Sequence, residues 1–175
     1  MENQVTQLLK AMVKPDYTAC SYAFMQDGKI VCADAIGVID KINNQSITTD
    51  CTFNVCSISK IYFTVCVMQL VDEGLIQLED KVADILPQFT MKDERYKDIT
   101  VRMCLDHSSG LPGTQWKHFS VSTTSKFNYY SEVLNYLSNS TLKADPGTYS
   151  TYCNDGFTLA EWSFQKFVIC LMKMS

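Results

Sequence analysis

An Asp27-Gly28 pair lies between two short apolar runs, and it constrains the fold more than any other local signal. The flanking residues 18–26 and 29–38 partly alternate between apolar and polar side chains. This pattern predicts two antiparallel strands joined by a two-residue turn whose twist matches that of the strands. Because a two-stranded hairpin alone is only marginally stable in water, it needs more sheet or a covering helix. The sequence therefore predicts an α+β fold.

The spacing of apolar residues, together with capping and stop signals, predicts the other elements. Helices are predicted over residues 2–13, 57–73, 80–86, 100–105, 129–137 and 156–172. The clearest is the helix over 57–73, whose apolar stripe consists of Ile58, Ile61, Val65, Met68 and Val71. A loop over 108–113 and a turn over 145–147 separate the later helices. The predicted order is a helix, the hairpin and then helices only, so the sheet is not extended beyond the hairpin.

Composition excludes several classes of protein. The chain of 175 residues has a net charge of −4 and no basic stripe, so nucleic acid is not an expected partner. Its apolar runs are too short for a membrane span. The eight cysteines form no Cys-x-x-Cys pair, so we expect no metal site and interpret them as reduced, mostly buried thiols. With a polar, acidic start that does not resemble a secretory signal, this predicts a cytoplasmic protein.

The pattern Ser-x-x-Lys occurs three times, and only Ser57 with Lys60 is well placed for catalysis. Side chains three positions apart share one face of a helix, so these two can touch. The apolar helix begins at Ser57, where unpaired backbone N–H groups and the helix dipole favour a developing negative charge. Ser140 falls at a helix end, and Ser163 falls inside a helix whose backbone donors are already used. Ser57 is therefore the candidate nucleophile, and an ordinary helix N-cap serine is the alternative.

Three segments resemble the serine β-lactamase and penicillin-binding-protein superfamily, in the branch of class C β-lactamases, related esterases and D-aminopeptidase-type hydrolases. Residues 53–60 read FNVCSISK and lead into a helix. Residues 99–112, ITVRMCLDHSSGLP, are similar to the family segment ITVRxLLxHTSGLP. Residues 145–157, DPGTYSTYCNDGF, are similar to PGTxFxYSNxGY, which holds a Tyr-x-Asn motif. The resemblance implies a β-lactamase/transpeptidase-like fold, with the N-terminal hairpin as part of an antiparallel sheet beside a helical region.

The resemblance also implies roles for individual residues. Ser57 would be acylated by an ester or amide carbonyl, and Lys60 would help to take its proton. Tyr152 would complete the base and protonate the leaving group, although a buried core tyrosine is the alternative. Asn154 would bind Lys60 or the substrate amide. His107 is interpreted as structural, supporting the Ser-Gly-Leu-Pro loop, and no metal or cofactor is implied.

The chemistry of a lysine base sets a further expectation. A free lysine titrates near 10.4, and lowering that pKa to about 7 disfavours the positive charge by ~4 kcal/mol. We therefore expect a buried, crowded environment around Lys60 or Tyr152.

The sequence departs from the family in its third motif, a Lys-Thr-Gly or His-x-Gly on a strand that lines the site. No lysine or histidine here is followed two residues later by glycine. In the family that strand supplies the second oxyanion donor, and loss of one such donor typically costs about 10²–10³ in rate. We therefore expect the C-terminal strands to be missing and residues 1–161 to form a partial domain.

Residues 162–175 depart from the aliphatic helix that the family has at this point. A different reading frame near codon 161 can encode such a helix with permitted codons. Our hypothesis is that a single-base deletion shifted the frame, which makes residues 162–175 an aberrant tail. A deliberate truncation is the alternative.

These observations predict a β-lactamase-related serine hydrolase that acts through an acyl-enzyme on an ester, an amide or a β-lactam. In the present form we expect weak activity or none. The expected partner is a small-molecule or peptide substrate, and the residues do not choose among these classes. The alternative is a non-catalytic remnant or a binding protein of the same fold.

The frameshift hypothesis makes a prediction at the level of the gene. Sequencing the locus downstream of codon 161 should reveal an intact second frame that encodes a Lys-Thr-Gly-like motif. A downstream sequence without such a frame would contradict the hypothesis.

Overall fold

The computed structural model describes residues 2–12, 19–114 and 129–174. In chain order the elements are α1 (Glu2–Met12), β1 (Ala19–Gln26), β2 (Lys29–Asp40), β3 (Gln45–Ser46), α2 (Ser59–Asp72), α3 (Val82–Ile85), α4 (Val101–Leu105), α5 (Tyr129–Ser138) and α6 (Asn154–Met174). Two 3₁₀ turns, Cys56–Ile58 and Glu94–Asp98, lie between them. The chain divides into two compact units, Met1–Val55 and Cys56–Ser175. The prediction of an α+β protein is confirmed.

The first unit contains the predicted hairpin. Strands β1 and β2 pair antiparallel, from Ala19 opposite Gly37 to Gln26 opposite Lys29. Asp27 and Gly28 both have positive φ, 51° and 72°, as a tight turn of matching twist requires. Helix α1 ends at Met12 in the described residues, and the predicted residue 13 lies outside them.

The prediction that the hairpin is not extended is wrong. Strand β3 pairs antiparallel with β2, with Val38 opposite Ser46, and gives a three-stranded sheet in the order β1-β2-β3. The Ile47 N–H adds a bond of 3.1 Å to the Gly37 carbonyl. β3 has only two residues, Gln45 and Ser46, and both are polar, so no apolar alternation reveals it.

The second unit holds the helices predicted from spacing. Helix α5, Tyr129–Ser138, matches the prediction within one residue. Thr100 caps α4, because its hydroxyl accepts the Met103 N–H at 3.3 Å. Helix α6 begins at Asn154 and continues to Met174, so the predicted boundary at residue 161 lies inside it.

Helix α3 is shorter than predicted, and its neighbours explain the difference. It was expected over residues 80–86 but covers only Val82–Ile85. The backbone just before it is extended and pairs with the segment that enters α4: Lys81 forms a bridge with Thr100. The Val101 N–H donates to the Asp80 carbonyl at 3.0 Å. These tertiary bonds hold residues 80–81 out of the helix.

The buried core of the second unit is formed by residues from α3 to α6 and the segments between them. Its fully buried side chains include Val82, Leu86, Phe89, Ile99, Cys104, Val133, Leu137 and Leu159. The partly buried Trp162 packs against this cluster, and Ser163 is buried. The first residues of the predicted tail therefore belong to the packed core.

Helix α2 buries a different face from the one its apolar stripe suggested. Val67 and Leu70 are buried, whereas Ile58, Ile61 and Val65 are more than half exposed. Periodicity shows that apolar residues line up along a helix, but packing partners decide which of them lose contact with water.

The cysteines also differ from expectation. None of the seven cysteines that the structure describes forms a disulfide, and only Cys104 and Cys153 among them are buried. Cys56 and Cys66 are exposed. Among the described residues no group of three or more potential ligands is placed to hold a metal ion. Nor does any described helix combine the length and apolar character needed to cross a membrane.

Backbone hydrogen bonds join residues 108–110 to residues 143–147 in the second unit. The Lys143 N–H donates to the Gly110 carbonyl at 2.8 Å, and the Gly147 N–H donates to the Ser108 carbonyl at 2.8 Å. Gly110 has a φ of +72°, and a Cβ on it would lie 2.3 Å from the Ala144 carbonyl oxygen. Only glycine fits such a contact without displacing backbone.

We expect Gly110→Ala to lower the free energy of unfolding by roughly 2–4 kcal/mol, because a left-handed backbone penalty and a backbone clash act together. Gly74→Ala is the matched control. Gly74 has a φ of +71° in the same unit, and nothing lies within 4 Å of an added Cβ. It should lose only about 1 kcal/mol, for the backbone penalty alone. Urea unfolding of both variants measures the difference, and equal losses would contradict this role for Gly110.

Candidate active site

Ser57 lies at the entrance to α2. It is the middle residue of the 3₁₀ turn Cys56–Ile58, which leads directly into the helix. Cys56 before it has a φ of 48°. The N-cap position of α2 is Ile58, and no side chain caps this helix end. Ser57 is therefore not an N-cap serine, so that alternative is wrong, and its hydroxyl is free to make other contacts.

Two proposed catalytic side chains meet at the Ser57 hydroxyl. Lys60, one helical turn along, donates from Nζ to Ser57 Oγ at 3.2 Å. Tyr152, 95 residues away in sequence, donates from its hydroxyl to the same oxygen at 2.6 Å. The structure thus brings together the three residues that sequence reasoning selected as nucleophile and base.

Tyr152 is not buried, contrary to the alternative of a core tyrosine. It is 51% exposed. Its pKa is nevertheless lowered from 10.0, first by the hydrogen bond with Lys60 and second by that with Ser57. The expected buried, crowded environment is therefore absent at Tyr152, and polar contacts lower its pKa instead. Such contacts stabilise the phenolate directly, whereas burial would raise the pKa.

Lys60 also contacts two aromatic rings. Its Nζ lies 5.1 Å from the centroid of the Tyr152 ring and 5.4 Å from that of Phe157 in α6. A cation within about 6 Å of an aromatic face is attracted by the ring quadrupole. Sequence reasoning did not single out Phe157, although it lies inside the segment that carried the resemblance.

His107 is adjacent to this site. Its ring centroid lies 4.5 Å from that of Tyr152 and 5.2 Å from that of Phe157. It was expected to support the Ser-Gly-Leu-Pro loop, but its ring nitrogen Nδ1 accepts the Cys153 N–H at 3.2 Å. Burial and, second, the Lys60 charge lower the pKa of His107 from 6.5.

Asn154 begins α6 and is buried. Its backbone N–H donates to the Thr114 hydroxyl at 3.2 Å, and its carbonyl accepts the Thr158 hydroxyl at 3.2 Å. These contacts anchor the first turn of the helix. Its predicted role in binding Lys60 or a substrate amide stays a prediction.

The hydroxyls of the other two Ser-x-x-Lys serines each donate to a helix carbonyl four residues earlier. Ser140, just beyond α5, donates to the Tyr136 carbonyl at 2.8 Å. Ser163 is buried inside α6 and donates to the Leu159 carbonyl at 2.9 Å. Neither hydroxyl is held by a lysine and a tyrosine as Ser57 is.

A cavity of about 400 Å³ opens beside Ser57. Its lining comprises Ser57, Lys60, Ile61, Thr64, Val65, Leu105, His107, Tyr152 and Phe157. The polar groups of the site thus border a mainly apolar space, an arrangement typical of small-molecule sites.

Comparison with known proteins identifies relatives of this chain. Penicillin-binding protein 4 of Amycolatopsis lactamdurans is 31% identical over 126 residues, which cover 71% of this chain and 32% of that protein. Beta-lactamase-like protein 4 of Dictyostelium discoideum is 29% identical over 165 residues, which cover 90% of this chain and 29% of that protein. The chain thus spans about a third of the length of these relatives.

A solved structure shows the same fold. D-amino acid amidase from Ochrobactrum anthropi superposes with a TM-score of 0.77 at 22% identity, covering 95% of this chain and 45% of that one. This likeness confirms the predicted β-lactamase-like fold, of which the chain spans less than half. The Beta-lactamase family model matches residues 5–164. The match covers nearly the whole chain and includes all three segments, so the protein belongs to the Beta-lactamase family.

Proposed function

We propose that this protein is a serine hydrolase that forms an acyl-enzyme at Ser57. The observation that carries the proposal is the contact of both Lys60 and Tyr152 with the Ser57 hydroxyl, at 3.2 and 2.6 Å. A serine hydroxyl is a weak nucleophile until a neighbouring base takes its proton. Tyr152, ionised to a phenolate beside the Lys60 ammonium, would be that base, and its oxygen lies within hydrogen-bond distance of Ser57.

The proposed reaction has two steps. Ser57 Oγ attacks the substrate carbonyl carbon, and its proton passes to the Lys60–Tyr152 pair. Tyr152 then protonates the leaving group as the bond from carbonyl carbon to leaving group breaks. A water molecule hydrolyses the resulting acyl-serine by the reverse use of the same groups. Backbone N–H groups at the start of α2, an end that no side chain caps, would bind the negative charge on the carbonyl oxygen.

The substrate is proposed as an ester, an amide or a β-lactam, with Asn154 binding its amide. The relatives support this range: one is a penicillin-binding protein and one structure is of a D-amino acid amidase. For the 175-residue chain by itself, which contains no Lys-x-Gly or His-x-Gly motif, we propose weak turnover. From the cysteine pattern of the sequence we also propose a cytoplasmic location.

A second candidate is a non-catalytic binding protein of the same fold. The observation that favours it is that these 175 residues contain no Lys-x-Gly or His-x-Gly motif. In that case a β-lactam would bind without forming a covalent bond to Ser57.

Covalent labelling separates these candidates. A fluorophosphonate or fluorescent penicillin should label the wild-type protein, and Ser57→Ala should abolish the label. Lys60→Met or Tyr152→Phe should slow labelling by about 10²–10⁴, the typical contribution of a positioned base. Ser140→Ala is the matched control, because it removes a serine of the same tetrapeptide pattern and should leave the labelling rate unchanged. Label that survives Ser57→Ala would exclude Ser57 as nucleophile.

The lowered pKa of Tyr152 gives a second test, which needs no substrate. The phenolate absorbance of wild type minus Tyr152→Phe should titrate with a midpoint below 10.0, the ordinary value. Because Lys60 is the largest cause, Lys60→Met should move that midpoint back up. The sign follows from the charge: the ammonium stabilises the phenolate, so more phenolate is present at a given pH. A wild-type midpoint at or above 10.0 would contradict the proposed base.

A further inference from the structure

His107 occupies a left-handed backbone conformation that few residues other than glycine adopt. It follows α4 and its C-cap residue Asp106, with a φ of 65°. Glycine usually fills this position after a helix, and another residue there costs roughly 1–2 kcal/mol. The turn itself would therefore be more stable with glycine, so the reason for histidine lies in its side chain.

His107 holds the backbone on both sides of Tyr152. The Thr151 N–H donates to the His107 carbonyl at 2.9 Å. The Cys153 N–H donates to His107 Nδ1 at 3.2 Å. With both flanking amides bound to one residue, the path of the chain through Tyr152 is restricted.

The ring of His107 also bounds the Tyr152 side chain. Its centroid lies 4.5 Å from that of Tyr152, with 43° between the planes. The centroid of the His107 ring also lies 5.2 Å from that of Phe157. Since Tyr152 is half exposed, few neighbours restrict its rotation. The His107 imidazole is one of these neighbours. The hydrogen bond from the Tyr152 hydroxyl to Ser57 depends on how the Tyr152 side chain is rotated.

We propose that His107 is a positioning residue: its neutral imidazole, with Nδ1 as acceptor and the proton on Nε2, holds the Tyr152 hydroxyl on Ser57. The effect of His107 on the reaction rests on the proposed function. Its effect on the position of the Tyr152 side chain does not. Nδ1 can accept the Cys153 N–H only while it carries no proton. Protonation would replace this acceptor by a donor and release the segment that carries Tyr152.

Burial and the Lys60 charge favour the neutral form of the His107 ring. Lys60 faces it from α2, Tyr152 and Cys153 face it from the segment before α6, and Asp106 precedes it in its own turn. Burial is the largest effect and Lys60 the second, and both lower the pKa of His107 below 6.5, while Asp106 opposes them. Because the folded protein favours the neutral form, the contact should be intact at pH 6.5 and above, and it should be lost only as the pH falls through the lowered pKa of His107.

A double-mutant cycle tests the proposal. His107→Phe keeps an aromatic ring and loses the Nδ1 acceptor. It should slow labelling of Ser57 by roughly 10- to 100-fold, as expected for a small misplacement of a catalytic group. In the Tyr152→Phe background the same change should have little effect, because no hydroxyl remains to be positioned. An equal loss in both backgrounds would show a merely structural role and overturn the proposal.

His107→Gly separates the ring from the turn. Glycine suits the positive φ, so this variant should fold at least as stably in urea and still lose labelling as His107→Phe does. Retained labelling in His107→Gly would overturn the proposal.

A readout without turnover keeps the two proposals distinguishable. His107→Phe should raise the Tyr152 phenolate midpoint towards 10.0, and the ¹⁵N shifts of the wild-type imidazole should show Nδ1 unprotonated. If wild type is not labelled at Ser57, the proposed function fails, and these two measurements still decide the role of His107. An unchanged Tyr152 midpoint in His107→Phe, or a proton on Nδ1 at neutral pH, would overturn it.

Discussion

The hydrogen bond between Tyr152 and Ser57, 2.6 Å long and 95 residues apart in sequence, is the contact on which the candidate site depends. Neither residue is deeply buried, so packing alone does not fix it. The local structure around each residue fixes this hydrogen bond. Ser57 is held by the 3₁₀ turn that opens α2, and Tyr152 is held in a short segment that leads into α6. The proposed reaction requires that Ser57 and Tyr152 be positioned relative to each other with an error well below 1 Å.

Three backbone hydrogen bonds in the second unit restrict the position of the segment that carries Tyr152. The Lys143, Gly147 and Thr151 N–H groups donate in turn to the carbonyls of Gly110, Ser108 and His107. As the chain advances from 143 to 151, its partners run backwards from 110 to 107, so the two segments run antiparallel. The loop after α4 thereby guides the segment that carries Tyr152 towards the start of α2.

Ion pairs hold the beginning of the same segment. Arg95 bonds to Asp145 at 2.5 Å and to Asp93 at 2.6 Å, and the Asp93 carboxylate accepts the Leu142 N–H at 3.1 Å. The hydrogen bond with Arg95 is the main reason why the pKa of Asp93 lies far below its usual range. Exposed ion pairs contribute little stability each, but a bidentate arginine with good geometry fixes orientation. These bonds set where the turn at 145–147 begins.

Local signals in the sequence determined much of the fold and the contact between Ser57 and Lys60. The Asp27-Gly28 turn, the Thr100 cap and helix α5 follow from residues within a few positions of one another, and short-range physics suffices for them. Ser57 and Lys60 are one turn apart on a helix, so their contact was also predictable. Tyr152 was reached only through the resemblance of its segment.

Long-range contacts decided the rest, because no local pattern encodes them. The bridge between Lys81 and Thr100 shortened α3, and two polar residues formed β3 against β2. Packing buried Val67 and Leu70 of α2 and left Ile61 and Val65 of its apolar stripe exposed. The His107 ring lies against Tyr152 because backbone bonds join two segments about 40 residues apart. The sequence by itself thus determined which groups are candidates for the site and the local structure that holds each of them. Only the tertiary structure decided their exposure, their pKa values and their partners, since these depend on atoms brought together from distant parts of the chain.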